Sequence, residues 1–344
     1  MAKQKNSTIR DVAKAAGVSI ATVSKYVNGQ QTFSDSVEAK LKLAIETLGY
    51  SQNPVARSMV TGKTSAIGLA VMDVGNPHHA AVVKGANRIA LARGYSLLVV
   101  DMEENITDVR PLLEALVRRT DGLVVNVRIP KEDMDWLAEV DKPVIFLGES
   151  ARQGIVSVGT DNVLVATLLA RYLVQQGFTQ VAYLGFERAS WNTARIKGLR
   201  DVFDEAGVEL TIFDADAPTS EAGEHAAARV LLGPNRPQVV VACNDLVAIG
   251  LMAQARAFGL RIPEDVAFVG VDNISTGHYV SPSLTTVDSR SEEVGEVALR
   301  QVLSMIEGHS VPEAQKLEPL LIVRDSAKRV VSTAVDETTK PDLH

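Results

Sequence analysis

From Thr8 to Gly49, apolar residues recur at helical spacing in three short runs. Thr8-x-x-Asp11 has the form of a capping box. Val12, Ala13 and Ala16 then share one face, and Gly17 breaks the run. Ser19 stands as the cap of a second run with Val23, Tyr26 and Val27 inward, and Asn28-Gly29 ends it. A third run begins near Ser34, carries Asp35 and Glu38 in its first turn, and places Leu41, Ala44, Ile45 and Leu48 on one stripe before Gly49. The pattern predicts three helices. The next segment, SQNPVARSMVTGKTS, offers Asn53 as a cap and Pro54 at the first helical position, which predicts a two-turn linker helix too short to be stable without a partner.

After Ala66 the period changes. Continuous apolar runs at AIGLAV (66–71), SLLVV (96–100), GLVVNV (122–127), PVIFL (143–147), VAYLG (181–185), QVVVAC (238–243) and VAFVGV (266–271) alternate with helical patterns such as 82–94 and 294–306. Apolar strands separated by helices predict parallel sheets covered on both faces. The strands are too many for one small sheet, so the expected fold is an N-terminal all-α head followed by an α/β core of two doubly wound parallel-sheet lobes. The predicted divisions are 1–50 for the head, 51–64 for the linker, 65–328 for the core and 329–344 for a disordered tail. Within the core the lobes divide near 160, and the chain crosses back near 288 and again near 318.

Composition narrows the function classes. Hydrophobic residues make up 46% and charged residues 22% of the 344 positions, no apolar run is long enough for a membrane span, and the start MAKQKNSTIR has no apolar signal segment. With Cys243 as the one cysteine, an internal disulfide and a Cys-based zinc site are excluded, and the expected compartment is the cytoplasm. The net charge of −7 hides an asymmetry. Residues 1–62 hold eight Lys/Arg and four Asp/Glu, a net of +4, which leaves −11 for the rest. A basic head on an acidic body confines contact with phosphate to the head.

TIRDVAKAAGVSIATVSKYVNG (8–29) fits a helix-turn-helix: Ala13 and Ala16 are small where two helices cross, Gly17 turns the chain, and short polar residues open the second helix. An enzyme finds less support. TGKT (61–64) resembles part of a phosphate loop, but Arg57 stands where that loop needs glycine, and G-x-G-x-x-G, G-x-S-x-G and H-E-x-x-H are all missing. A transporter's solute-binding protein would share a two-lobed core but not the head. No catalytic residue, metal or cofactor is expected.

Residues 8–29, GYSQNPVARSM (49–59), IGLAVMDVGNP (67–77), ARIKG (194–198), VACND (241–245), VGVDN (269–273) and PSLTTV (282–287) together resemble the LacI/GalR-type family of bacterial transcriptional regulators, over about residues 8–328. The resemblance implies a homodimer on a pseudo-palindromic operator and a core similar to periplasmic sugar-binding proteins. Carried over by position, it implies that Ile20, Ala21 and Lys25 read bases while Thr22 and Ser24 contact phosphate or support. Ser19 and Asn28 on the head, and Asn53, Ala56, Arg57 and Met59 in the linker, complete the DNA-contacting set. Met59 is either a wedge between base steps or a packing residue.

For the small-molecule effector, expected between the lobes, the same comparison implies Asp73, His78, Trp191, Arg195, Asn244, Asp272 and Ser289. Arg195 and Asp272 would grip hydroxyls or a carboxylate, or form an interlobe ion pair; Trp191 would stack on a sugar face, or pack beneath a loop. The chain departs from the family in two places. His78 and His79 follow Asn76-Pro77 where two aromatics are usual, and Gly148, beside Glu149, replaces an acidic residue. The expected ligand is a sugar or sugar derivative. Its effect on DNA binding is left open between induction and co-repression. The tail lacks a leucine heptad, which predicts a dimer rather than a tetramer.

Overall fold

A computed structural model of the chain describes residues 7–50, 62–104, 107, 109–148, 155–310 and 313–328, and divides into two compact units after Ser65. Asn53, Ala56, Arg57 and Met59, most of the expected linker helix, Glu149 and the expected tail lie outside the described residues.

The head is built from α1 (Ile9–Ala16), α2 (Ile20–Val27) and α3 (Asp35–Leu48). The Thr8 side chain accepts from the Asp11 N–H while the Asp11 carboxylate accepts from the Thr8 N–H, a reciprocal cap that uses two otherwise unpaired donors. Gly17 follows α1 with a φ of 67°, in the left-handed region that costs a side chain least when the side chain is hydrogen. Val12, Ala13, Ala16, Val23, Leu41 and Ala44 close the core of this unit. Ile9, Val18, Tyr26, Val27, Val37, Ile45, Leu48 and Tyr50 pack around them, half-buried.

The second unit begins with β1 (Ala66–Val71), α4 (Pro77–Ala92), β2 (Ser96–Asp101), α5 (Val109–Arg119), β3 (Gly122–Asn126), α6 (Lys131–Ala138), β4 (Val144–Leu147) and β5 (Val156–Thr160). It continues with α7 (Asn162–Gln175), β6 (Gln180–Gly185), α8 (Ser190–Ala206), β7 (Glu209–Asp214), α9 (Ser220–Leu231), β8 (Val239–Ala242), α10 (Asp245–Ala257) and β9 (Ala267–Val269). The last stretch holds α11 (Ser275–Tyr279), β10 (Thr286–Asp288), α12 (Ser291–Ile306), β11 (Gln315–Leu317) and β12 (Leu320–Ile322).

One parallel sheet has the order β11-β5-β4-β3-β1-β2, the other β7-β6-β8-β9, and β10 pairs antiparallel with β12. This is the two-sheet α/β core expected from the apolar runs. Alternation explains why both faces are covered. Ile67, Leu69, Val71, Val124, Ile145 and Leu147 point towards α4 and α12, whereas Ala70, Leu123, Val125, Val144 and Phe146 point towards α5 and α6. The chain leaves the first sheet after Thr160, returns to it with α12 after Asp288, and leaves again after Leu317. At these crossings the Thr160 hydroxyl donates to the Ser289 carbonyl, tying two of them together.

Helix pairs are drawn into backbone contact by glycine. A Cβ at Gly85 would lie 1.9 Å from the Glu292 carbonyl oxygen, and one at Gly295 2.1 Å from that of Val82, so α4 and α12 meet glycine to backbone in both directions. Gly223 and Gly250 make the same reciprocal contact between α9 and α10. Because backbone oxygens cannot rotate away as a side chain does, Gly295→Ala forces α12 off α4 and costs at least the roughly 1–3 kcal/mol of core overpacking. The expected outcome is a lowered midpoint of thermal unfolding followed by circular dichroism. An unchanged midpoint would mean that the two helices stand further apart than described.

Candidate functional site

On the head, α2 turns Val23 into the core and leaves Ile20, Ala21 and Lys25 outward, Ile20 being 46% exposed. A large apolar side chain on that face is not held by packing, which suits contact with a thymine methyl. The Ser19 hydroxyl caps α2 by accepting the Thr22 N–H at 3.0 Å and lies 2.8 Å from the Thr22 hydroxyl. Asn28 reaches back to the Ser24 hydroxyl at 3.4 Å, and Lys25 Nζ donates to Gln31 Oε1 at 3.2 Å. The outward face therefore carries one flexible cation between two apolar groups and a hydroxyl-capped helix start, where phosphate is favoured.

In the core, a cavity of about 740 Å³ opens beside the carboxyl ends of both parallel sheets. His78, Trp191, Arg195, Asn244, Asp272 and Ser289 line it. Asp73 does not line it: its carboxylate turns away to accept the Gly75 N–H at 2.7 Å, closing the loop after β1. Arg195 is 8% exposed and stands over the Trp191 ring at 4.3 Å, one helical turn away on α8. Its Nε donates to Asn162 Oδ1 at 2.9 Å and its Nη1 to the Cys243 carbonyl, and no protein acceptor takes Nη2 among the described residues. Asn244 is largely committed, its Oδ1 accepting the Val247 N–H at 2.9 Å and its Nδ2 donating to the Pro218 carbonyl at 2.8 Å.

Asp272 sits just past β9 with a φ of 113°, an unfavourable backbone for a side chain, and the neighbours over-determine it. The Asp272 N–H donates to Val287, the Ser289 hydroxyl donates to Asp272 Oδ1 at 3.1 Å, and His78 Nδ1 lies 3.4 Å from the same oxygen. His78 Nδ1 is closer to the Ser291 hydroxyl, at 2.7 Å. The chain Asp272–Ser289–Ser291–His78 thus runs from one lobe to the other. Arg195 and Asp272 form no ion pair among the described residues, so the interlobe bridge weighed for them is not what holds them.

Residues 8–53 match the family described as bacterial regulatory proteins, lacI family, and residues 170–327 match the periplasmic binding protein-like domain. The chain is 31% identical to the HTH-type transcriptional repressor PurR of Vibrio vulnificus (strain CMCP6), across 94% of this chain and 99% of that protein. It belongs to the lacI family. The ribose operon repressor of Escherichia coli (strain K12) is likewise 31% identical, across 93% of this chain and 100% of the relative. A crystal structure of the lac repressor dimer bound to operator and the anti-inducer ONPF shares the fold, with a TM-score of 0.86 at 23% identity over 94% of this chain and 100% of that one. These relatives are transcriptional repressors rather than enzymes, and this lacI-family chain is a DNA-binding transcriptional regulator.

The lacI-family reading by position passed over several cavity residues: His79, Asn126, Arg128, Asn162, Phe186 and Arg188. Most follow a strand directly. Asn126 ends β3 and Arg128 comes two residues later, and Phe186 and Arg188 follow β6. Taking the residues after each apolar run would have found them, because parallel sheets gather those positions at one edge. His79 binds Asn126, its Nδ1 3.0 Å from Asn126 Nδ2, and its ring meets that of His78 edge-on with centroids 4.9 Å apart. Among the described residues no three His, Cys, Asp or Glu side chains are placed to share a metal.

Burial sets the charge state here. Desolvation, and then the nearby Arg195 charge, lower His78 to about 4; desolvation, and then His78, lower His79 to about 3. Both rings are neutral near pH 7, so the His78–Asp272 contact is not an ion pair. Desolvation raises Asp272 to about 6, against the opposing pull of Arg195. Between about pH 4 and 6 the folded chain therefore holds a proton on Asp272 that the unfolded chain has lost, and this contribution to stability disappears as pH rises through 6. The histidines act oppositely, since below about pH 6.5 the unfolded chain takes up their protons first. Asp272→Asn removes only the first effect. Urea unfolding at several pH values should find the variant more stable than the parent above pH 6, by up to about 3 kcal/mol, with the gap closing towards pH 4. A gap independent of pH would contradict the raised value.

Proposed function

We propose that this lacI-family regulator is a cytoplasmic homodimeric repressor whose head (1–50) reads a pseudo-palindromic operator. The core (65–328) binds a small polyhydroxylated effector, a sugar or sugar derivative, and residues 51–64 connect the two functions. The observation that carries the effector reading is the unfilled Nη2 of the buried Arg195 in a cavity that also holds the Asp272 carboxylate. A hydroxyl both donates and accepts, and a donor-only group beside an acceptor-only group is the matching environment. Phe146, Phe186 and the Trp191 ring add apolar surface for the C–H face of a sugar ring. A relative that represses a ribose operon supports this ligand class.

Control follows from where the cavity lies. Its lining comes from both lobes, so a ligand that contacts both favours one lobe arrangement. It shifts DNA affinity by its differential affinity for the two states, typically about 1–3 kcal/mol. On the head, Lys25 is the candidate for hydrogen-bonded base readout, with Ile20 and Ala21 as methyl contacts and Ser19, Thr22, Ser24 and Asn28 in support. The lac repressor dimer bound to operator supports the dimeric reading.

Two variants test these roles. With an operator isolated by selection from random DNA, Lys25→Ala should weaken binding by about 1–3 kcal/mol and relax discrimination at one position of each half-site. Equal loss on operator and random DNA would make Lys25 a phosphate contact. Arg195→Gln should bind operator normally without ligand, yet lose the response to any sugar that raises the melting temperature of the parent chain. Fluorescence anisotropy follows both, and a full response in Arg195→Gln would remove Arg195 from the ligand site.

A further inference from the structure

The charges around the cavity are unbalanced in a particular place. Arg128, past β3 in one lobe, and Arg188, past β6 in the other, each hold the guanidinium carbon 5.2 Å from the centroid of the same Phe186 ring. Their separation therefore cannot exceed the sum of those two distances. Glu104 pairs with Arg128. Arg188 is exposed and donates to the neutral Asp216 carbonyl, and no carboxylate pairs with it among the described residues. Arg195 on the floor is bonded only to neutral acceptors. Lys131, which opens α6 at the rim, adds a further cation.

Four cationic side chains thus line the cavity against the carboxylates of Glu104, Asp135 and Asp272. One of those carboxylates is already spent on Arg128. A neutral sugar would meet the floor and leave the Arg188 guanidinium at the rim without a counter-charge. An oxyanion beside Arg188 and within reach of Arg128 would supply that counter-charge through charge-assisted contacts, which are roughly twice as strong as neutral hydrogen bonds. Since the two arginines belong to different lobes, the same anion would draw the lobes together.

The geometry points to an effector that carries an oxyanion, phosphate or carboxylate, on a polyhydroxylated body. Arg128 and Arg188 hold the oxyanion at the rim, while Arg195 and Asp272 hold hydroxyls at the floor. This rests on the reading of the cavity as the effector site. Phe186 is the platform that holds both guanidiniums, by cation–π attraction on its ring.

The test uses matched pairs on the full chain: D-ribose against D-ribose 5-phosphate, and D-glucose against D-glucuronate, with inorganic phosphate as the anion alone. Binding is read by calorimetry and thermal shift. At least one anionic member should bind about tenfold or more tightly than its neutral counterpart. In Arg188→Gln that preference should shrink to within about twofold. Which pair responds separates phosphate from carboxylate. Neutral sugars that bind as tightly as the anionic ones, with loss of binding in Arg195→Gln, would overturn the proposal and leave the cavity reading standing. A preference for the anion that survives in both Arg188→Gln and Arg128→Gln would overturn it too, since the anion would then sit elsewhere. No binding by any member of either pair would overturn the proposal and count against the cavity reading with it.

Discussion

Parallel strands covered by helices on both faces can meet a ligand only where they end, and here all such ends of each sheet lie along one edge. Side chains just past β3, β4, β6, β8 and β9 therefore share one space although they are scattered along the chain. The cavity, its buried arginine and its neutral histidines all follow from that geometric restriction. So does the position of Asp272, whose unusual backbone is stabilised by a neighbouring segment running alongside. Gly270 donates to Thr285 and Asp272 to Val287, while the buried Asp245 carboxylate accepts from the Thr286 hydroxyl and the Ile274 N–H.

Much of this was legible as pattern. Of the apolar runs, those that became β1, β3, β4, β6 and β8 are strands flanked on both sides, where burial demands an unbroken apolar stretch, while those of β2 and β9 end their sheets and were read from composition alone. The strands that escaped have physical excuses. The terminal strand β7 of its sheet reads Glu-Leu-Thr-Ile-Phe-Asp and keeps much of its surface in water, and β11 is the equally polar Gln-Lys-Leu at the end of the other. β5 is interrupted by Ser157 and Gly159, where a Cβ would stand tightly, 3.1 Å from Gly148 Cα. The head was easier, since capping residues and αL glycines are local signals that need no partner to be read.

The site was legible in a different measure. Arg195 and Asp272 could be nominated by position because they stand in the short motifs ARIKG and VGVDN, and Trp191 and Ser289 because they lie within a few residues of ARIKG and PSLTTV. Asp73 could not be judged that way, since whether a carboxylate faces a cavity or closes its own turn depends on one backbone rotation. Arg128, Phe186 and Arg188 belong to no motif. Their relation exists only because two lobes bring a loop of each to one ring. The charge states of His78, His79 and Asp272 were equally hidden, being set first by desolvation.

The threefold crossing between the sheets has a consequence for the order in which the molecule can be completed. The second sheet is built from one uninterrupted stretch, β6 to β9. The first sheet, although its strands come earlier, lacks both β11 and the helix that covers Ile67, Leu69, Val124 and Ile145 until α12 and the strand after it have been made. As the chain emerges from its N-terminus, the apolar face of the earlier lobe is covered by α4 alone while most of the later lobe is made. Both lobes thus wait for the end of the chain, the first for α12 and β11 and the second for Leu284, Val287 and Ala327, and the half-open face of the first is the surface left longest in need of protection from other chains.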